Sequence, residues 1–288
     1  RVGIVGSSDG HKGRPGAEYP GDSQFGSYGG LTCHLLPKLD RNNFFDAFRR
    51  RRHYATTGAR IYLNVSAELG DENLQIGDIV TTDADRLNFK FDVVGSSPIE
   101  RVDIFDGLNL VETVRPWTER LLLNRVRITC AGQHYRGRGR LVKWDVSAIF
   151  SGGRIERIKP VNFWNPNRQP EKISDTKAVW KTVTTGGASS VDFWLDEKAS
   201  AGNLQIQTNF ESLTTSLAEI DEKGISVDCG GMDIRLKVER LPNLLDKSSV
   251  SGEKSFVLEN NTEKRLYIRV TQEDGHQAWS SPIYVIKD

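Results

Sequence analysis

Apolar residues recur along this chain with two different periods, and the change falls near residue 58. From Arg60 onward Ile61, Leu63 and Val65 alternate with polar neighbours, as do Leu87, Phe89 and Phe91. A period of two marks strands with one buried face. Val102-Asp103-Ile104-Phe105 and Leu110-Val111 flank Asp106-Gly107, a pairing that predicts a tight hairpin. Further strands are predicted over 126–130, 141–150, 179–183, 191–195, 204–208, 234–238, 256–258 and 266–270. Before residue 58 the pattern is mixed. Val2-Gly3-Ile4-Val5-Gly6 reads as a strand. Phe44, Phe45, Ala47 and Phe48 form the apolar face of a short helix with Asp40 as its N-cap. That helix runs into Arg49-Arg50-Arg51-Arg52, where cations suit the negative end of the helix dipole. His53 to Gly58 then leads away from it, with Gly58 as a natural stop.

Short strands separated by turn chemistry, with hardly a helical period after residue 58, predict sandwich-like β domains. The β region is too long for one ordinary sandwich of ~100 residues, so two are expected. Composition agrees with a globular chain: of 288 residues, 37% are hydrophobic and 27% charged. The formal charge is +1, from 39 basic and 38 acidic residues, which gives no electrostatic reason to expect general binding of nucleic acid. The arginine run at 49–52 and Arg136-Gly137-Arg138-Gly139-Arg140 read as a solvated helix face and a solvated loop. No apolar run approaches the ~20 residues of a membrane-spanning helix. Cys33, Cys130 and Cys229 lie far apart without a C-x-x-C pair, so a structural zinc site or dense disulfide framework is not expected. The six tryptophans read as core before they read as ligand platforms, Trp194 between Phe193 and Leu195 above all.

The sharpest chemical feature is Asp9-Gly10-His11 at the end of the opening strand. Side-chain direction repeats every two residues in a strand, so a carboxylate and an imidazole reach the same rim. That pair of donors suits zinc, manganese or iron. By itself the triplet also fits a turn with a surface histidine. From Gly10 to Gly30, both included, nine residues are glycine or proline, a mixture that argues against regular structure. Lys12 and Arg14 in this stretch are candidates for holding an anionic substrate, and they read equally well as solvated loop charges. Glu18 and Asp22 are weaker candidates. Gly3, Gly6 and Gly10 do not form G-x-G-x-x-G, which excludes a dinucleotide-binding turn. His34 and His53 read as structural histidines or as outer support for a site, and His276 as a solvent-facing turn residue.

Three stretches together resemble a known superfamily. They are Val5-Gly6-Ser7-Ser8-Asp9-Gly10-His11, the run from Arg52 to Ile61, and the tail from Arg269 to Val285. They resemble a largely uncharacterised bacterial branch of the polymerase-and-histidinol-phosphatase (PHP) superfamily, near the C-terminal end of such proteins. The resemblance implies a metal-binding β/α barrel whose strand ends hold divalent ions and whose last motif is D-x-H. Carried over, Asp9 and His11 become metal ligands, with zinc, manganese or iron as the expected ion. The earlier H-x-H motif of that family has no counterpart in this sequence. The chain opens on Arg1 inside an apparent strand, so the N-terminal half of the barrel is expected to be missing and the active site incomplete.

The expected fold is therefore mainly β, a C-terminal remnant of a metal-binding PHP-like barrel followed by β-sandwich-like domains. Residues 1–58 would supply the last strand, loop and helix of the barrel, 59–135 with 252–288 a discontinuous sandwich, and 136–251 an inserted second β unit. The expected function is that of a metal-dependent hydrolase fragment acting on a phosphoester or another small anionic or ester substrate, inactive alone, with neither a nucleic-acid nor a membrane partner. The competing expectation is a β-sandwich binding or interaction module without catalysis.

Overall fold

The computed structural model describes residues 1–8, 29–163, 165, 167–196 and 202–288. Asp9, His11, Lys12, Arg14, Glu18, Asp22 and Trp164 lie outside these residues. The described chain is mainly β, with several sheets and one α-helix. In chain order, β1 (Leu31–His34) leads to α1 (Arg41–Arg49) and β2 (His53–Thr56). Then follow β3 (Tyr62–Leu69), β4 (Glu72–Gln75), β5 (Ile79–Thr82), β6 (Arg86–Val94), β7 (Ile99–Asp106) and β8 (Asn109–Val114). The middle of the chain supplies β9 (Leu122–Gln133), β10 (Val142–Ser151), β11 (Ile155–Val161), β12 (Glu171–Ser174) and β13 (Lys177–Thr184). It continues with β14 (Ala188–Leu195), β15 (Asn203–Thr208), β16 (Ser212–Ser216), β17 (Ile225–Asp228) and β18 (Met232–Pro242). The chain closes with β19 (Ser249–Val257), β20 (Thr262–Gln272), β21 (Gln277–Ser280) and β22 (Ile283–Lys287). Among the described residues no helix is long and apolar enough to cross a membrane.

These elements fall into two compact units. The first is discontinuous: it takes the described residues before Trp117 and then Leu245–Asp288. The second runs Trp117–Leu244. The division therefore falls at residues 117 and 245 and not at 136 and 252. The reason is β9, which pairs with β14 and β18 of the second unit and contributes Val126, Ile128 and Cys130 to its core.

In the first unit one sheet has the order β1-β2-β21-β20-β22-β5, with β7 on the other side of β20 and β8 beyond β7. β5 joins parallel to β22; the other pairs are antiparallel. The second sheet has the order β19-β6-β3-β4. Alternation decides the packing. Leu63, Val65, Phe89, Phe91 and Val93 from the second sheet share a core with Val102, Ile104, Ile268 and Val270 from the first. Phe89 and Val102 are fully buried there, each contributing on the order of 1.5–3 kcal/mol. The expected hairpin is present: Asp106 pairs with Asn109 across Gly107. Gly107 takes a φ of 60°, which a side chain at that turn position would resist.

On the opposite face of the β7–β20 pair, Thr113, Asp103 and Arg269 lie in cross-strand register. Asp103 accepts from Thr113 Oγ1 at 2.8 Å and from Arg269 Nη2 at 2.7 Å, and Arg101 Nε stands 3.4 Å away. Burial pushes the Asp103 carboxyl up. The positive charges of Arg101 and Arg269, with the hydrogen bonds from Arg269 and Thr113, outweigh that and hold it below the usual carboxylate range.

The second unit packs the sheet β12-β13-β10-β15-β16 against β11-β14-β9-β18-β17. Trp144, Phe150, Trp180, Phe193, Ile206 and Leu236 fill the space between them. Trp144 donates its indole N–H to Thr184 Oγ1 at 3.0 Å, which satisfies the one polar atom it buries. The other face of β14 and β9 holds a different chemistry. Lys159, Asp192, Arg127 and Glu239 stand in one cross-strand row of alternating charge. Asp192 accepts from Arg125 Nη2 at 2.6 Å and from Arg127 Nε and Nη2 at 2.6 and 3.0 Å, all of them buried. In the next row Trp194 lies between Arg125 and Arg157, whose guanidinium carbons sit 4.6 and 3.4 Å from its ring centroid. Trp194 is buried as expected, but on this charged face and not in the apolar core.

Candidate functional site

The residues that carry the motif argument begin at Asp9, so the described neighbourhood of residues 1–8 and 29–56 is where a site must be sought. The opening segment was expected as a strand and is not one: residues 1–8 belong to no ladder. Its backbone is extended along side chains instead. Tyr284 Oη accepts from Val2 N at 2.9 Å and donates to Val2 O at 3.0 Å. Ser281 Oγ accepts from Ile4 N at 3.0 Å and donates to His53 O at 2.6 Å. Thr32 Oγ1 accepts from Gly6 N at 2.9 Å and donates to Gly6 O at 2.8 Å. Residues 2, 4 and 6 are thus held in turn by a tyrosine, a serine and a threonine. An alternating apolar pattern predicts an extended chain correctly, but it does not tell a strand partner from hydroxyl partners.

Helix α1 forms as its sequence predicts at its start. Asp40 Oδ1 accepts from Asn43 N at 2.9 Å, and that backbone bond holds the Asp40 carboxyl below its usual range. The end is different. The helix stops at Arg49, and Arg51 adopts φ 59°, the left-handed conformation that terminates helices and that glycine usually supplies. Arg51 Nε then donates to Gly77 O at 3.0 Å, and Arg52 donates to Ile76 O at 2.8 Å and to Asp78 Oδ1 at 2.6 Å. The last two arginines of the run therefore hold the 76–78 turn and are not a solvated helix face. By contrast, Arg136, Arg138 and Arg140 are exposed, as a loop of solvated charges should be. Phe44, Phe45 and Phe48 keep 36%, 42% and 49% of their surface exposed, so the phenylalanine face of α1 is only partly covered.

Residues 53–56, expected as an exit from the helix, form β2. Its pairing with β1 sets His34 directly opposite His53. The two rings meet with centroids 5.5 Å apart, and Phe44 and Phe48 pack on them. His53 Nδ1 lies 2.9 Å from Ile4 O. A carbonyl only accepts, so Nδ1 is a protonated nitrogen, and in the neutral ring Nε2 is the atom with the lone pair. Gly3 sits against the same ring: a Cβ there would stand 2.6 Å from His53 Cε1. His34 Nδ1 is buried without a hydrogen-bond partner. Burial, and then the charge of His53, lowers the His34 pKa, so that imidazole is neutral near pH 7. His276 is half-buried, with Nδ1 3.0 Å from Thr57 Oγ1, and does not face solvent as expected.

Among the described residues no group of three or more His, Cys, Asp or Glu side chains gathers to hold a metal ion. The three cysteines are free thiols, and burial pushes Cys130 far above its usual range. No protein-family model matches this chain, and no curated protein matches it significantly.

Proposed function

We propose that this chain is the C-terminal part of a metal-dependent hydrolase of the PHP type, acting on a phosphoester or a related ester. Asp9 and His11 would hold part of the divalent ion cluster, and Lys12 and Arg14 would bind the anionic group of the substrate. A bound zinc, manganese or iron ion acidifies a coordinated water and polarises a phosphoryl oxygen. The observation that carries the reading is the D-x-H triplet directly behind an extended segment pinned at residues 2, 4 and 6. The donor chemistry fits: a carboxylate and an imidazole form a pair that suits zinc, manganese or iron. Two protein ligands do not close a catalytic zinc site, which has three, so further donors are required.

The competing reading, a binding module without catalysis, draws on the exposed hairpin of β8, where Leu108, Leu110 and Val111 face solvent. Metal content separates the two. Zinc and manganese titrations of the chain should show binding that Asp9→Ala/His11→Ala abolishes in part or whole. Equal binding by chain and variant sinks the hydrolase reading and moves attention to the β units.

A further inference from the structure

We propose that His34 and His53 form a cross-strand chelate for a borderline divalent ion such as zinc, separate in its residues from Asp9 and His11. Two histidines directly opposite each other on antiparallel strands bring their side chains to one place, because such pairs have Cβ atoms only ~4.5–5.5 Å apart. Their ring centroids are 5.5 Å apart. Each ring offers one lone pair. His53 gives its Nδ1 proton to Ile4 O, which leaves Nε2 as the free donor atom. A backbone carbonyl on the far nitrogen is the usual outer support of a metal-binding histidine, since it locks both tautomer and ring orientation. His34 has no such tie, and its Nδ1 is buried with nothing to bond. A buried polar atom left alone is costly, and an ion that accepts the lone pair removes that cost.

The surroundings favour a fixed pair. Phe44 and Phe48 pack on the His34 ring at 4.5 and 6.0 Å, and Phe48 also stacks on His53 at 5.5 Å. The nearby cations are already directed elsewhere: Arg51 to Gly77 O, and Arg52 to Asp78. Neutral imidazole is a ligand type that suits zinc, copper and nickel. Two such donors hold the ion and leave its other positions to water or to further side chains.

The test uses the full chain, zinc chloride as the only added metal, and three variants: His34→Phe, His53→Gln and Asp9→Ala/His11→Ala. His34→Phe keeps an aromatic ring against Phe44 and Phe48, so it preserves the packing while removing the donor. Losing a ligand should cost at least the roughly 10–100-fold in affinity that losing an outer-shell partner costs. The expected result is weaker zinc binding by His34→Phe with an unchanged melting curve in the absence of metal. In the unsubstituted chain, zinc should shift the imidazole nitrogen resonances of His34 Nδ1 and His53 Nε2. Zinc affinity in His34→Phe equal to that of the unsubstituted chain overturns the proposal, as does an absence of those shifts at saturating zinc. If His53→Gln fails to fold, His34→Phe decides alone. The Asp9→Ala/His11→Ala arm reports on the hydrolase reading separately: it can fail while the histidine pair stands, and the reverse.

Discussion

Replacing Asp192 by asparagine isolates the weight of a single buried charge. Asp192 and Arg125 are fully buried and Arg127 nearly so, with three charge-assisted hydrogen bonds of 2.6 to 3.0 Å converging on one carboxylate. Arg127 meets it as a fork, the geometry in which guanidinium and carboxylate bind most strongly. Asparagine keeps the shape and an accepting oxygen but removes the buried negative charge on which the two guanidiniums converge. Breaking a buried pair in this way costs ~3–5 kcal/mol, most of it the penalty of the stranded charge. At ~2–4 °C per kcal/mol, the second unit's melting midpoint should fall by roughly 6–20 °C. The matched control is Asp145→Asn, which removes a carboxylate from the exposed Asp145–Lys181 pair on the same unit. An exposed pair of that kind contributes ~0–1 kcal/mol. Both variants should be melted with urea and with heat at the same ionic strength, following tryptophan fluorescence from the buried Trp144, Trp180 and Trp194. Urea avoids screening the charges under test. Equal losses in the two variants would refute the argument that burial, and not charge pairing as such, sets the cost.

Acid should act on the first unit through Asp103. Its carboxyl sits below its usual range in the folded state, so its stabilising contribution is complete above the unfolded value of about 3.9 and is lost as pH falls through the lower folded one. Asp103→Asn should lower stability at pH 7 and flatten its decline below pH 4; an unchanged acid limb in calorimetric melts would contradict this. Ser281→Ala removes the hydroxyl that bonds both Ile4 N and His53 O, so amide exchange over residues 1–8 should quicken while the global midpoint moves little. Exchange at that segment identical to the parent would show that Ser281 does not hold it.

What could be read ahead of the structure was whatever follows from short-range periodicity. The Asp106-Gly107 hairpin and the Asp40 cap came through because each is decided within a few residues. β19 did not. Its sequence, Ser249 to Val257, is largely polar, and only Phe256 is buried, so the apolar signal marked its end alone. β9 is legible as a strand from its own alternation, but the unit it joins is not, since pairing partners leave no trace in a single strand's pattern. The Asp192 cluster is invisible for the same reason: four strands of sequence separate Arg125 and Arg127 on β9 from the carboxylate on β14 that they serve. The sequence carries His34 and His53 only as separate residues. Only the β1–β2 register, across an intervening helix, sets them face to face.

The excursion of the chain through the second unit has a consequence for how the protein is made. β7 finds its central partner in β20, with Ile104 opposite Ile268, and everything from Trp117 to Leu244 is synthesised between them. On the ribosome the later unit possesses all its strands while the earlier one still lacks the strand at the centre of its sheet. The earlier unit must therefore wait, with Val102 and Ile104 uncovered on their pairing edge, until β20 to β22 emerge. The order of completion is the reverse of the order of synthesis, and the first half of the chain spends that interval as the part most in need of protection from other chains.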